Sequence, residues 1–132
     1  MLNNHTIDRY LHAILTLQNR FPIVRAVDVA AWLECTRPSV SVAVKQMLQE
    51  ELISTGHHCA LLLTEDGKRR ADAFRERYDF FHRLLIEAGV SEDIAKKESN
   101  ALACSLSDPS LNAIRRYFSI QDVDKIDGLP GR

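Results

Sequence analysis

Residues Thr36 to Gln46 read Thr-Arg-Pro-Ser-Val-Ser-Val-Ala-Val-Lys-Gln, a run of hydroxyls and fixed cations of the kind that binds phosphate oxygens and base edges. Pro38 has no amide hydrogen to lose and a preset φ, so it suits the first turn of a helix, with Thr36 or Arg37 as the flanking cap. Val40, Val44 and Met47, at i, i+4 and i+7, form one narrow apolar stripe. Ser39, Ser41, Lys45 and Gln46 fall off that stripe. One face therefore packs, and the other is free to enter a DNA groove.

Other groups with chemistry are scattered. At roughly 100° per residue, His5, Asp8 and His12 gather on the side of the first helix opposite its apolar stripe, either as a ligand face or as a solvated polar face. His57 and His58 are placed to contact phosphate or a metal. Adjacent residues on a strand point to opposite faces, so shared chelation is disfavoured and exposed positions are expected for both. Cys35, Cys59 and Cys104 are odd in number and widely spaced, which implies thiols and no disulfide framework. Cys35 is expected as a small buried apolar residue. The chain has no phosphate-binding glycine loop, zinc-protease helix motif or nucleophile elbow, so it is not expected to be an enzyme.

The elements that must position these groups follow in order. Ile7, Tyr10, Leu11, Ile14 and Leu17 predict an amphipathic helix over 6–19, which Phe21-Pro22 breaks. Residues 27–33 form a compact apolar helical segment. With Glu34-Cys35 as the connection and the Thr36 helix after it, this is a helix-turn-helix. Two short strands around Gly56 then make a hairpin, a wing. Thr64, with Glu65 and Asp66 behind it, caps a long helix that ends at Gly89. Phe74, Tyr78, Phe81, Leu85 and Ala88 form a seam along it that asks for a helical partner, within the chain or from a second copy. Ser91 begins a helix to about Leu106, Asp108-Pro109-Ser110 begins a last one, and 121–132 reads as a loosely held tail. The fold class is mainly α, a winged helix-turn-helix followed by helices.

At 132 residues and 45% apolar, the chain can bury one core, or a small domain with a helical appendage. It has no apolar run near the roughly 20 residues of a bilayer span. The Met-Leu-Asn-Asn-His start lacks the order of a secretory signal, so a cytoplasmic protein is expected. A net charge of −1 argues against coating nucleic acid by bulk charge. Local charge is uneven, however: Lys68, Arg69, Arg70, Arg75, Arg77 and Arg83 crowd one stretch, and Asp122, Asp124 and Asp127 lie near the C-terminus.

The order of helix-turn-helix, Leu-Leu-Leu-Thr-Glu-Asp-Gly-Lys exit from the wing, long helix, Gly89-Val90 break and Leu106-Ser107 before a terminal helix resembles the diphtheria toxin repressor family, closest to its short manganese-sensing branch. Over roughly residues 6–120 the resemblance implies a homodimeric, metal-activated repressor binding double-stranded DNA at a palindromic operator. It implies a DNA-binding domain over 1–70 and a helical dimerisation and effector domain over 71–120. By position, it places Thr36, Arg37, Pro38, Ser39, Ser41 and Lys45 at the DNA, with His57 and His58 on the wing.

The implied metal site departs from the family pattern. Its positions fall on Arg9, His12, Tyr78, Asn100, Ala103 and Cys104. Arg9 cannot ligate, Ala103 has no donor and Asn100 offers only a neutral carbonyl. Two states fit these residues: a smaller site for Zn²⁺ or Fe²⁺ rather than Mn²⁺, drawing on His12, His82 and Cys104 with Asp8 or Glu98 in reach, or no metal at all. In the second case, control is constitutive or passes through a thiol or small ligand. A winged-helix protein-interaction module is the reading from a different class.

Overall fold

The computed structural model describes residues 2–128, with side chains through residue 119. Its elements are α1 (Asn4–Gln18), α2 (Ala26–Leu33), α3 (Arg37–Gln49), β1 (Ile53–Thr55), a 3-10 turn (His57–Cys59), β2 (Leu61–Leu63), α4 (Glu65–Glu87), α5 (Glu92–Ser105) and α6 (Asp108–Gly128). It is mainly helical, with a two-stranded antiparallel sheet in which Ile53 faces Leu63 and Thr55 faces Leu61. No helix among the described residues is long and apolar enough to cross a membrane.

Local chemistry explains the boundaries. Asn3 caps α1, its side chain accepting from the Thr6 amide at 2.8 Å. The Arg25 amide donates to Asp28 at 2.8 Å across the first turn of α2. Glu34 and Glu51 take left-handed φ values of 55° and 57°, turning the chain sharply after α2 and before β1. Gly89, at φ 97°, supplies the break after α4 that its missing Cβ makes inexpensive.

The Leu-Thr-x-x-Gly motif has a clear mechanical basis. The Thr64 hydroxyl accepts from the Gly67 amide at 3.1 Å and donates to the Glu51 carbonyl at 2.8 Å, so one side chain caps α4 and ties it to the turn before the wing. Any side chain at Gly67 would run into the Leu52 backbone carbonyl, so glycine is what lets α4 seat there.

Two apolar clusters share α4. The first takes Ile7, Leu11 and Ile14 from α1, Val29 from α2, Val40, Ala43 and Met47 from α3, Leu61 from the wing and Ala71 from α4. The second takes Phe74 and Phe81 from α4, Ala103 from α5 and Leu111 from α6. The front of the expected α4 seam thus packs within the chain, whereas Ala88 at its end is exposed. Arg77, only 7% exposed, spans the joint after α5: Nε donates to the Ala103 carbonyl at 2.9 Å, and the terminal nitrogens to the Leu106 carbonyl and to Asp108. The α6 backbone stays helical through Gly128, into the stretch expected as a loose tail, and 129–132 lie outside the described residues.

Candidate functional site

α3 has one buried and one exposed face, as its sequence pattern predicts. The Thr36 hydroxyl accepts from the Ser39 amide at 3.2 Å and lies 2.9 Å from the Ser39 hydroxyl, which fixes the first turn with Pro38 inside it. Thr36, Arg37, Pro38, Ser39, Ser41 and Lys45 are all exposed. The buried stripe is Val40, Ala43 and Met47, with Val44 half-buried beside it. Gln46 does not belong to the free face. It is 8% exposed and clamps the N-terminal arm, its Oε1 accepting from the Leu2 amide at 3.0 Å and its Nε2 donating to the Leu2 carbonyl at 3.2 Å. Stripe counting misses this because the partner is 44 positions away.

The wing tip differs in detail from the expected hairpin. His57 and His58 are exposed, but they sit in the 3-10 turn between the strands, where strand alternation does not apply. His58 and Cys59 take φ values of 58° and 61°, a left-handed pair without glycine. Arg25 steadies that turn, its Nε donating to the His58 carbonyl at 2.8 Å. Exposed Val42 shares the outer side of α3 and offers the apolar surface that suits a thymine methyl. Neither Arg25 nor Val42 stood out in the sequence.

A cavity of about 330 Å³ opens where α1, α2, α4 and α5 meet, and His12, Trp32, Tyr78 and His82 all line it. The His12 and Tyr78 rings are 5.3 Å apart, and Tyr78 stacks on His82 at 5.3 Å with 19° between planes. His12 also lies 5.6 Å from the Phe74 ring. It is therefore walled in by aromatics and does not project from a solvated face. Burial pulls its pKa down to about 4 against the opposing pull of Asp79, so the ring is neutral. Burial, with Glu92 and Asp79 adding to it, pushes Tyr78 up to about 12 and keeps the phenol protonated. His82 Nε2 is 3.0 Å from both Glu92 carboxylate oxygens.

The structure brings His12 and His82 to one cavity with Tyr78 between them, and leaves Cys104 out of its lining. The Cys104 thiol instead faces the His5 carbonyl at 3.6 Å, and burial raises its pKa, which disfavours the thiolate that metals need. Asp8 is engaged by Arg70 at 2.6 Å, with His5 at 3.7 Å. Among the described residues, no three His, Cys, Asp or Glu side chains converge as a metal-binding group. Ala103 is fully buried, and the Asn100 amide nitrogen donates to the Lys96 carbonyl at 3.1 Å. A protonated phenol, a guanidinium and a methyl group at Tyr78, Arg9 and Ala103, the positions that the resemblance implies, do not fit a divalent cation.

No protein-family model matches the chain. It is 30% identical over 111 residues to the transcriptional regulator MntR of Escherichia coli O157:H7, covering 84% of this chain and 72% of the relative. The chain belongs to the diphtheria toxin repressor and MntR family. Its fold is that of the manganese regulator SloR, with a TM-score of 0.71 at 22% identity over 86% of this chain and 53% of that one. It equally matches a manganese-dependent transcriptional repressor solved in complex with manganese, with a TM-score of 0.70 at 23% identity over 86% and 52%. The chain thus spans about half the length of these solved structures.

Two cations on the cavity wall were not visible in the sequence. Lys96 places Nζ 3.8 Å from the Trp32 ring centroid and Arg20 places its guanidinium carbon 4.8 Å from it. Only the fold brings 20, 32 and 96 together.

Proposed function

We propose that this chain is a DNA-binding transcriptional repressor that acts in the cytoplasm as a homodimer on a palindromic operator. The carrying observation is the division of α3. Val40, Ala43 and Met47 are locked in the core, and the opposite face of α3 with its Thr36 cap exposes hydroxyls and two fixed cations, Arg37 and Lys45, to solvent. The N-terminus of α3 adds the positive end of a helix dipole, which favours phosphate. The wing, held by Arg25 and carrying His57 and His58, lies next in the chain to follow the backbone. Residues 1–70 read DNA, and 71–120 pair two copies. Exposed Ile94 and Leu102 on α5 and Tyr117 on α6 supply apolar surface for pairing. Two recognition helices then sit about one duplex turn apart, roughly 34 Å. The family-type metal site takes no part, because its donors do not fit.

The test is a gel-shift titration in rising salt with Arg37→Ala and Lys45→Ala. Each variant is expected to weaken binding across all sequences and to lower the log–log salt slope by about 0.9 for each phosphate it no longer neutralises. Slopes and affinities unchanged in both variants refute the groove assignment.

A further inference from the structure

We infer that the cavity between α1, α2, α4 and α5 binds a small aromatic carboxylate, with Arg20 and Lys96 holding the carboxylate and the rings of Trp32, His12 and Tyr78 enclosing the aromatic part. Three observations converge on this chemistry. The cavity, about 330 Å³, is walled by rings, and its size suits a compact organic ligand. Arg20 and Lys96 are both held against one indole ring, and among the described residues neither has a carboxylate within 4.0 Å. On the same lining, Glu92 lies 3.0 Å from His82 Nε2, and Asp79 on α4 is the other carboxylate, likewise more than 4.0 Å from Arg20 and Lys96. Two uncompensated cations on one apolar wall attract an anion. Lys96 spends one donor on the Trp32 carbonyl at 2.8 Å and keeps two in hand. Finally, Asn100 lines the same cavity at 8% exposure, and its carbonyl oxygen has no partner among the described residues. A buried amide oxygen left unpaired calls for a donor, which a hydroxyl or protonated ring substituent would supply.

The cavity touches four helices, two of which belong to the helix-turn-helix side, so a ligand there bears directly on the placement of α2 and α3. That consequence rests on the regulator reading, whereas binding itself does not, and the two are measured separately.

Trp32 is the sole tryptophan and lines this cavity, so its fluorescence reports binding there, and Arg20, which lines this cavity and not the smaller one on the other side of Trp32, tells the two apart. Full-length protein is titrated with benzoate, with inorganic phosphate and with Zn²⁺ and Mn²⁺, following Trp32 emission alongside calorimetry. Benzoate is expected to give a saturable change, weakened about tenfold or more in Arg20→Gln and in Lys96→Gln, with Arg83→Gln, outside the cavity, unchanged. The Arg20 side chain is exposed and makes no hydrogen bond among the described residues, so its variant isolates binding from folding. The proposal is overturned if benzoate leaves Trp32 silent. It is equally overturned if phosphate binds as tightly as benzoate, if the metals saturate the response while benzoate does not, or if Arg20→Gln binds like the parent. DNA affinity measured with and without benzoate then tests the regulatory consequence on its own.

Discussion

Replacing Arg77 with Met keeps the buried stem and removes the guanidinium, and the cost follows from what the guanidinium satisfies. Its Nε serves the Ala103 carbonyl at 2.9 Å and a terminal nitrogen serves the Leu106 carbonyl. Both belong to the end of α5, whose last carbonyls have no intrahelical donor. Leaving a buried acceptor unpaired costs about 1–3 kcal/mol each, and Leu106 is partly wetted, so the expected loss is roughly 2–4 kcal/mol. The ion pair with Asp108, at 2.7 Å, is a different matter, because the Asp108 side chain is 74% exposed. Asp108→Asn is therefore expected to cost under about 1 kcal/mol. Urea unfolding followed by far-ultraviolet circular dichroism reads both. With a slope of about 1–3 kcal/mol/M, Arg77→Met moves the midpoint by about 1 M or more, and Asp108→Asn moves it little. Equal shifts in the two variants, or an unshifted Arg77→Met midpoint, refute carbonyl capping as the source of the stability.

Two further predictions test the fold and the cavity. Gly67→Ala drives a methyl into the Leu52 carbonyl and is expected to cost about 1–3 kcal/mol or more, lowering the melting temperature by several degrees in a thermal scan; a neutral result removes the close-approach explanation of the motif. His12 is held near pKa 4 by burial against a usual 6.5, so the unfolded chain binds the extra proton between those values. Stability from this group is fully present above pH 6.5 and falls as pH drops toward 4, by on the order of 2–3 kcal/mol, and His12→Gln is expected to flatten that part of the stability profile measured by urea titration.

Much of the architecture was legible because it is local. Pro38 and Thr36 mark the start of α3, Thr64 with Glu65 and Asp66 marks that of α4, and Ile7 through Leu17 repeat at the helical period. Exposure of Arg37, Ser39, Ser41 and Lys45 followed from the same counting. What was not legible depends on distant chain. Gln46 turned inward because Leu2 waits for it, and His12 is aromatic-walled because Phe74 and Tyr78 come from α4. Similarly, the pairing of Arg20 and Lys96 on Trp32 spans three elements. The His57–His58 geometry escaped for a smaller reason, since a three-residue 3-10 turn with two left-handed residues has no glycine to announce it.

α4 carries Ala71 in one cluster and Phe74 in the other, on adjoining turns of one unbroken helix of 23 residues, about 35 Å long. Opening the helix there exposes both clusters at once, so neither half has a private route to unfolding. Amide protons in the middle of α1 and in α5 are thus expected to share one exchange free energy, and the chain to melt as a single cooperative unit. A disturbance at the cavity is then felt at α3 as a change in global stability, even where no atom of α3 has moved.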